Sequence, residues 1–170
     1  MDAEIVTYER DTQNSADVVA RIQRETGRTE VPPSAHPQVL AGAGTAAFEL
    51  LEDSDQLDLV LVPCGGGGLT AATAIVMAEA SAATDVYAVE PELFDDTRRS
   101  LEAGKRVGNP KGRRTICDAI MTPIPNDVTF PINLNLLAAN QYAYIGCLLT
   151  RHSELMLHLT AHIVGYAIAP

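Results

Sequence analysis

The sequence predicts an α/β fold: a parallel sheet flanked by helices. Three observations carry this expectation. Short apolar or β-branched runs alternate with helix-like stretches from residue 5 to residue 104. One compact apolar run, Leu57 to Val62, leads through Gly65-Gly66-Gly67-Gly68 into the helical text Leu69 to Ala80. The chain has 170 residues, 46% of them hydrophobic, which suffices for a domain with a buried core.

The elements follow in chain order. Ile5-Val6-Thr7-Tyr8 is β-branched and aromatic and reads as a strand. Ser15 is placed to cap a helix from Ala16 to about Thr26, with Val18, Val19 and Ile22 on one face and Gly27 as its stop. Thr29-Glu30-Val31 reads as a short strand ended by Pro32-Pro33. Pro37 opens helical text that Gly42 and Gly44 interrupt, so the firmer helix is Thr45 to Glu52. The strand Leu57 to Val62, the glycine turn and its helix come next. Val86 to Val89 is a further strand, and Asp95-Asp96 starts a helix that runs through Leu101 and ends near Gly104. Asn109 to Arg114 is a basic loop. From Leu134 the text stays apolar and helix-like but loses the strand-helix rhythm. Asn135, Asn140 and Gln141, with the short span of Leu155 to Ala169, argue against a membrane segment.

Charge and cysteine usage narrow the function classes. A net charge of −10 argues against nucleic acid or an anionic membrane as partner. Cys64, Cys117 and Cys147 are odd in number and widely spaced, which suits a reducing cytoplasm. Met1-Asp2-Ala3-Glu4 is acidic and lacks the apolar core of a signal peptide, so a cytoplasmic location is expected.

The glycine run carries the chemistry. Four glycines between a buried strand and a helix leave backbone N–H groups unobstructed and able to converge, with the positive end of the helix dipole behind them. A phosphate is the expected ligand. No lysine follows as a P-loop requires, and the spacing is not the GxGxxG of a dinucleotide fold. Glycine costs roughly 0.5–1 kcal/mol in unfolded-state entropy relative to alanine, so a run of four suggests close approach of some other group to the backbone. A plain tight turn is the alternative.

Four segments in order carry a resemblance: Leu40-Ala41-Gly42-Ala43-Gly44-Thr45, Val62-Pro63-Cys64-Gly65-Gly66-Gly67-Gly68-Leu69, Tyr87-Ala88-Val89-Glu90-Pro91, and Thr115-Ile116-Cys117-Asp118-Ala119. Together they resemble the serine/threonine dehydratase and serine racemase family of pyridoxal-phosphate enzymes (fold type II, tryptophan synthase beta-like). The resemblance covers residues 2 to about 133. It implies partial fold type II architecture: residues 1–35 a remnant of the smaller domain, 36–133 part of the larger cofactor-binding domain, and 134–170 a divergent apolar helical tail. It implies that Gly65, Gly66, Gly67 and Gly68, with Leu69 adjacent, hold the phosphate of pyridoxal 5'-phosphate. It further implies a divalent cation such as Mg2+ on Glu90, the carbonyl of Phe94, and Asp96; hard oxygen ligands suit that ion. The alternative for these acids is an ordinary surface cluster at a helix start, complementing its dipole.

The departures bear on activity. The family usually has glutamine where Ala43 stands and often glycine where Ala119 stands. Its Ser-x-Lys-x-Arg segment, bearing the lysine that forms a Schiff base with the cofactor, has no counterpart here. Neither has its Ser-Gly-Asn-His segment nor its C-terminal glycine-rich segment. The only lysines are Lys105 and Lys111, both in polar text, whereas a Schiff-base lysine should be desolvated. The expectation is a truncated member of a dehydratase that converts a hydroxy amino acid to a 2-oxo acid and ammonia, inactive alone, with a native truncation and a shifted reading frame both open. The rival expectation is a non-catalytic module that binds a phosphate ligand or a partner chain. A homo-oligomer stays open.

Three other features draw notice. His158 and His162 have i, i+4 spacing but no accompanying acid in the metalloprotease position, so partner-facing or core histidines are expected. His36 is assigned no catalytic role. Cys64 is expected to pack at the end of its strand, with reactivity near a helix N-terminus as the alternative.

Overall fold

The computed structural model describes residues 4–9 and 12–137, and the backbone of 142–144. It divides into two units, Met1–Pro32 and Pro33–Pro170.

Among the described residues of the first unit there is one helix, α1 (Ser15–Thr26). Asn14, not Ser15, is its N-cap: Asn14 Oδ1 accepts the N–H of Ala16 at 3.0 Å. Asparagine and serine cap comparably, and the residue that keeps extended geometry takes the role. Gly27 closes the helix at φ 68°, donating its N–H to the Gln23 carbonyl. The strands expected over Ile5–Tyr8 and Thr29–Val31 do not form. Ile5 is 86% exposed and Val31 77% exposed. β-branched residues favour a strand only where an edge and a face receive them, and this unit offers no sheet among its described residues.

The second unit is the α/β body. Its first helix, α2 (Pro37–Asp53), runs without a break through Gly42 and Gly44, correcting the expected interruption. His36 caps it: Nδ1 accepts the Gln38 N–H at 3.2 Å, and Pro37 fills the first position, where a missing donor costs nothing. Gly44 persists for packing reasons. A Cβ there would lie 3.3 Å from Val76 Cγ2 of the helix opposite.

β1 (Leu59–Pro63) pairs in parallel with β2 (Asp85–Glu90), in register from Leu59↔Asp85 to Pro63↔Val89. Between them in sequence lies α3 (Gly68–Ala80), buried at Thr70–Ala74, Val76 and Met77. A helix apolar on most of its faces belongs inside a fold, and its alanines let neighbours approach closely. After β2 come α4 (Asp96–Ala103), a 3-10 turn over Asp118–Ile120, and α5 (Thr129–Leu136). β3 (Tyr142–Tyr144) then pairs in parallel with β2, giving the order β1-β2-β3. This strand falls inside the stretch expected to be wholly helical. A short apolar run does not reveal its period, and an open parallel edge decided the outcome. The core joins Ala47 of α2, Val62 and Cys64, Ala74, Val76 and Met77 of α3, Val86 and Ala88 of β2, and Leu137. His158 and His162 lie outside the described residues. No described helix is long and apolar enough to cross a membrane.

Candidate functional site

Two features sit side by side at the carboxyl ends of β1 and β2. The strand ladder continues one step past Pro63, where Cys64 N–H donates to Val89 O at 2.9 Å. The chain then leaves the sheet through Gly65–Gly66–Gly67 and enters α3 at Gly68.

Each glycine in this loop has a crowded neighbour. A Cβ on Gly66 would come 2.8 Å from Ser34 Oγ, and one on Gly68 2.7 Å from Ser34 Cβ. A Cβ on Gly67 would meet Asn133 Nδ2 at 2.7 Å and Thr129 Oγ1 at 2.9 Å, and Gly67 also has φ 82°, a left-handed value that disfavours a side chain. The loop is therefore more than a tight turn. Its carbonyls are engaged from α5: Thr129 Oγ1 donates to Gly66 O at 2.6 Å, and Asn133 Nδ2 to Gly67 O at 3.4 Å. Among the described residues, the N–H groups of Gly65, Gly66, Gly67, Gly68, Leu69 and Thr70 donate to no protein acceptor. A row of unpartnered N–H groups at the positive end of a buried helix suits a phosphate. Leu69 lies in the first turn of α3 and is 38% exposed.

The second feature is acidic. Glu90, the last residue of β2, is buried, and its carboxylate caps α4: Oε1 accepts the Thr97 N–H and Oε2 the Arg98 N–H, both at 2.9 Å. Burial pushes its pKa up to about 7 against those hydrogen bonds, with the neighbouring Asp96 adding to the rise. Asp96 is fully buried and is pushed up to about 6, again chiefly by burial. One oxygen, Oδ1, accepts from Asn109 Nδ2 at 2.5 Å, while the buried Oδ2 has no partner. These are not the surface acids that sequence alone allowed. Phe94 is buried in the turn between them, its N–H on Pro91 O. Asp95 behaves oppositely: burial pushes it up, but the Arg99 and Arg98 guanidiniums more than reverse this and hold it below the usual carboxylate range. Among the described residues no three His, Cys, Asp or Glu side chains gather as a metal cluster, so a cation would rely on two carboxylates and a carbonyl. The orphaned Asp96 Oδ2 beside a second buried carboxylate fits such an ion.

Cys64 joins the two features. It is 1% exposed, its Sγ lies 3.3 Å from Thr97 Oγ1, and burial pushes its thiol up to about 12. It packs at the strand end, and the reactive alternative falls. His36 serves α2 as a cap. Lys105 and Lys111 are exposed.

Sequence reading missed Ser34, Thr97, Asn109, Thr129 and Asn133. Only Thr129 and Asn133 left a local signal: two polar residues at i, i+4 spacing, hence on one face, within an otherwise largely apolar helix.

Comparison with known proteins gives a consistent result. The family described as pyridoxal-phosphate dependent enzyme matches residues 1–150. The chain is 37% identical over 132 residues to L-threo-3-hydroxyaspartate ammonia-lyase of Saccharomyces cerevisiae, covering 76% of this chain and 40% of that protein. It is 33% identical to serine racemase of Bos taurus, covering 98% of this chain and 51% of that protein. Among solved structures, the threonine deaminase of T.th. superposes with a TM-score of 0.80 at 34% identity, covering 93% of this chain and 53% of the other. The chain spans about half the length of these relatives, or less.

Proposed function

The chain belongs to the pyridoxal-phosphate dependent enzyme family, and from that premise we propose that it is part of an ammonia-lyase of the serine/threonine dehydratase kind, acting on a hydroxy amino acid. The observation that carries this reading is the row of unpartnered N–H groups from Gly65 to Thr70 at the start of α3. Gly65, Gly66, Gly67 and Gly68 would hold the cofactor phosphate by backbone donation, with Leu69 beside it. When bound, pyridoxal phosphate supplies an electron sink that acidifies the substrate Cα–H and lets the β-hydroxyl leave, giving a 2-oxo acid and ammonia.

This chain's residues bind and orient rather than transfer protons. Glycine N–H groups would fix the phosphate without a counter-charge, which suits a chain of net charge −10. Glu90, the Phe94 carbonyl and Asp96 would hold Mg2+, tying the end of β2 to the first turn of α4. On this reading residues 1–35 belong to a smaller domain and 36–133 to the larger one.

The residues present do not complete a catalytic site. The only two lysines, Lys105 and Lys111, are exposed beyond α4, and a cofactor-anchoring lysine needs a desolvated position. That observation favours a second reading, a non-catalytic phosphate-binding module. One experiment tests both the missing anchor and the phosphate cup. The purified full chain is incubated with pyridoxal phosphate and threonine, with 2-oxobutanoate measured and the mixture then treated with borohydride. The expected result is phosphate-dependent binding, no turnover above free cofactor and no lysine adduct. Steady turnover, or an adduct at Lys105 or Lys111, overturns the claim that the chain lacks its anchor. Absence of any binding overturns the phosphate cup.

A further inference from the structure

We infer that Thr129 and Asn133 are positioning residues of the phosphate cup, holding the glycine carbonyls so that the following N–H groups face the ligand. The inference rests on the cup reading above. In a trans peptide the C=O and the next residue's N–H point in opposite directions. Thr129 Oγ1 takes the Gly66 carbonyl at 2.6 Å, so the Gly67 N–H points away from α5. Gly66 O also receives the Asn126 N–H at 3.4 Å. Asn133 Nδ2 takes the Gly67 carbonyl at 3.4 Å, and Ala71 N–H reaches the same oxygen at 2.9 Å, so the Gly68 N–H points away from both donors.

Glycine needs such help more than any other residue. Without Cβ atoms the loop would sample both hands of φ, and each free peptide could turn its carbonyl toward the phosphate. Carbonyl oxygens facing an anion repel it. Thr129 and Asn133 remove that freedom from the two peptides at the mouth of α3. They are 0% and 1% exposed, so neither side chain has room to leave its carbonyl. Asn133 Oδ1 is buried with no partner. The amide therefore spends its donor end on the loop and leaves its acceptor end unmet, an arrangement that core packing does not call for.

The test uses the full chain, titrated calorimetrically with inorganic phosphate, with amide spectra of the 15N-glycine-labelled protein recorded alongside. Thr129→Val removes the donor while keeping the shape, and phosphate affinity should fall about fivefold, the order expected for one lost hydrogen bond. Thr129→Ser keeps the hydroxyl and should stay within about twofold of the parent. Thr84→Val is the stability control. It deletes another buried hydroxyl, on Leu57 O at 2.7 Å and remote from the loop, and should leave affinity unchanged. Phosphate should move the Gly67 and Gly68 amide signals in the parent and less so in Thr129→Val. If Thr129→Val does not fold, Thr129→Ala, which removes the same donor, carries the same expectation through Gly66, whereas Asn133→Leu should cost less because the Ala71 N–H still holds the Gly67 carbonyl at 2.9 Å. Parent-like affinity in the folded variant, or an equal loss in Thr84→Val, overturns the inference while the cup stands. A parent chain that binds no phosphate overturns both.

Discussion

Replacing Gly67 by alanine should destabilise this fold. Two costs combine. Gly67 has φ 82°, where an L-residue is strained by about 1–2 kcal/mol. Its new Cβ would lie 2.7 Å from Asn133 Nδ2 and 2.9 Å from Thr129 Oγ1, inside contact distance. Both neighbours are almost fully buried and cannot swing into solvent, and overpacking of that kind costs about 1–3 kcal/mol. The lower unfolded-state entropy of alanine returns about 0.4–1 kcal/mol. The net loss is about 1–5 kcal/mol, against the roughly 5–15 kcal/mol that holds a domain together. Gly42→Ala is the matched control. It sits inside α2 with nothing within 4 Å of a Cβ, and should stabilise by about 0.5–1 kcal/mol through helix propensity. Urea unfolding of the full chain followed by circular dichroism measures both. A Gly67→Ala chain as stable as the parent, or equal shifts in the two variants, would refute the claim that the loop is closed on this side by α5.

Two further expectations follow from the acids and the thiol. Glu90 and Asp96 sit at about 7 and 6, above their ordinary 4.5 and 3.8; the folded chain thus holds these protons more tightly than the unfolded one, and the stability they contribute below about pH 4 is lost as pH rises through 6 and 7. The melting temperature should fall between about pH 4 and pH 7, and millimolar MgCl2 should restore part of it at the upper end, by scanning calorimetry; a flat or rising profile without the cation contradicts the burial of this pair. Cys64, pushed up to about 12 by burial, should resist iodoacetamide at about pH 8 while the partly exposed Cys117 reacts, with both modified after unfolding. Peptide mapping that finds Cys64 labelled first in the folded chain would contradict its packing.

What the sequence made legible was local. β1, the glycine loop and α3 could be read because a short apolar strand, four glycines and an alanine-rich helix each state their conformation within a few residues. Glu90-Pro91 likewise marked the end of β2. The misread elements all depended on distant partners. Ile5–Tyr8 and Thr29–Val31 have strand composition but no sheet among the described residues of their own unit. Gly42 and Gly44 looked like helix breakers, yet the close approach of α3 to Gly44 makes the small residue an asset. Tyr142–Tyr144 became a strand because β2 offered a parallel edge. Thr129 and Asn133 contact glycines some 60 positions earlier in the chain (|i−j| = 63 and 66), a relation that no window around either segment contains.

The same distinction separates a motif from a site. Gly65–Gly68 alone specify flexibility, and flexibility opposes anion binding, because a free glycine peptide presents its carbonyl as readily as its N–H. Direction is imposed from elsewhere. β1 fixes where the loop begins through the Cys64–Val89 bond, α3 fixes where it ends through the Ala71 N–H on Gly67 O, and α5 fixes the peptides between. The acid pair follows the same rule. Glu90 is placed by β2 but held by the N–H groups of Thr97 and Arg98, and Asp96 is oriented by Asn109 from the loop beyond α4. Both features lie at the carboxyl ends of adjacent parallel strands, where open α/β sheets place their ligands, and Thr97, with its Oγ1 beside Cys64 Sγ and its N–H on Glu90, links one to the other. A chain carrying the four glycines but ending before Thr129 would keep the sequence signature and lose the hydrogen bonds that hold the Gly66 and Gly67 carbonyls.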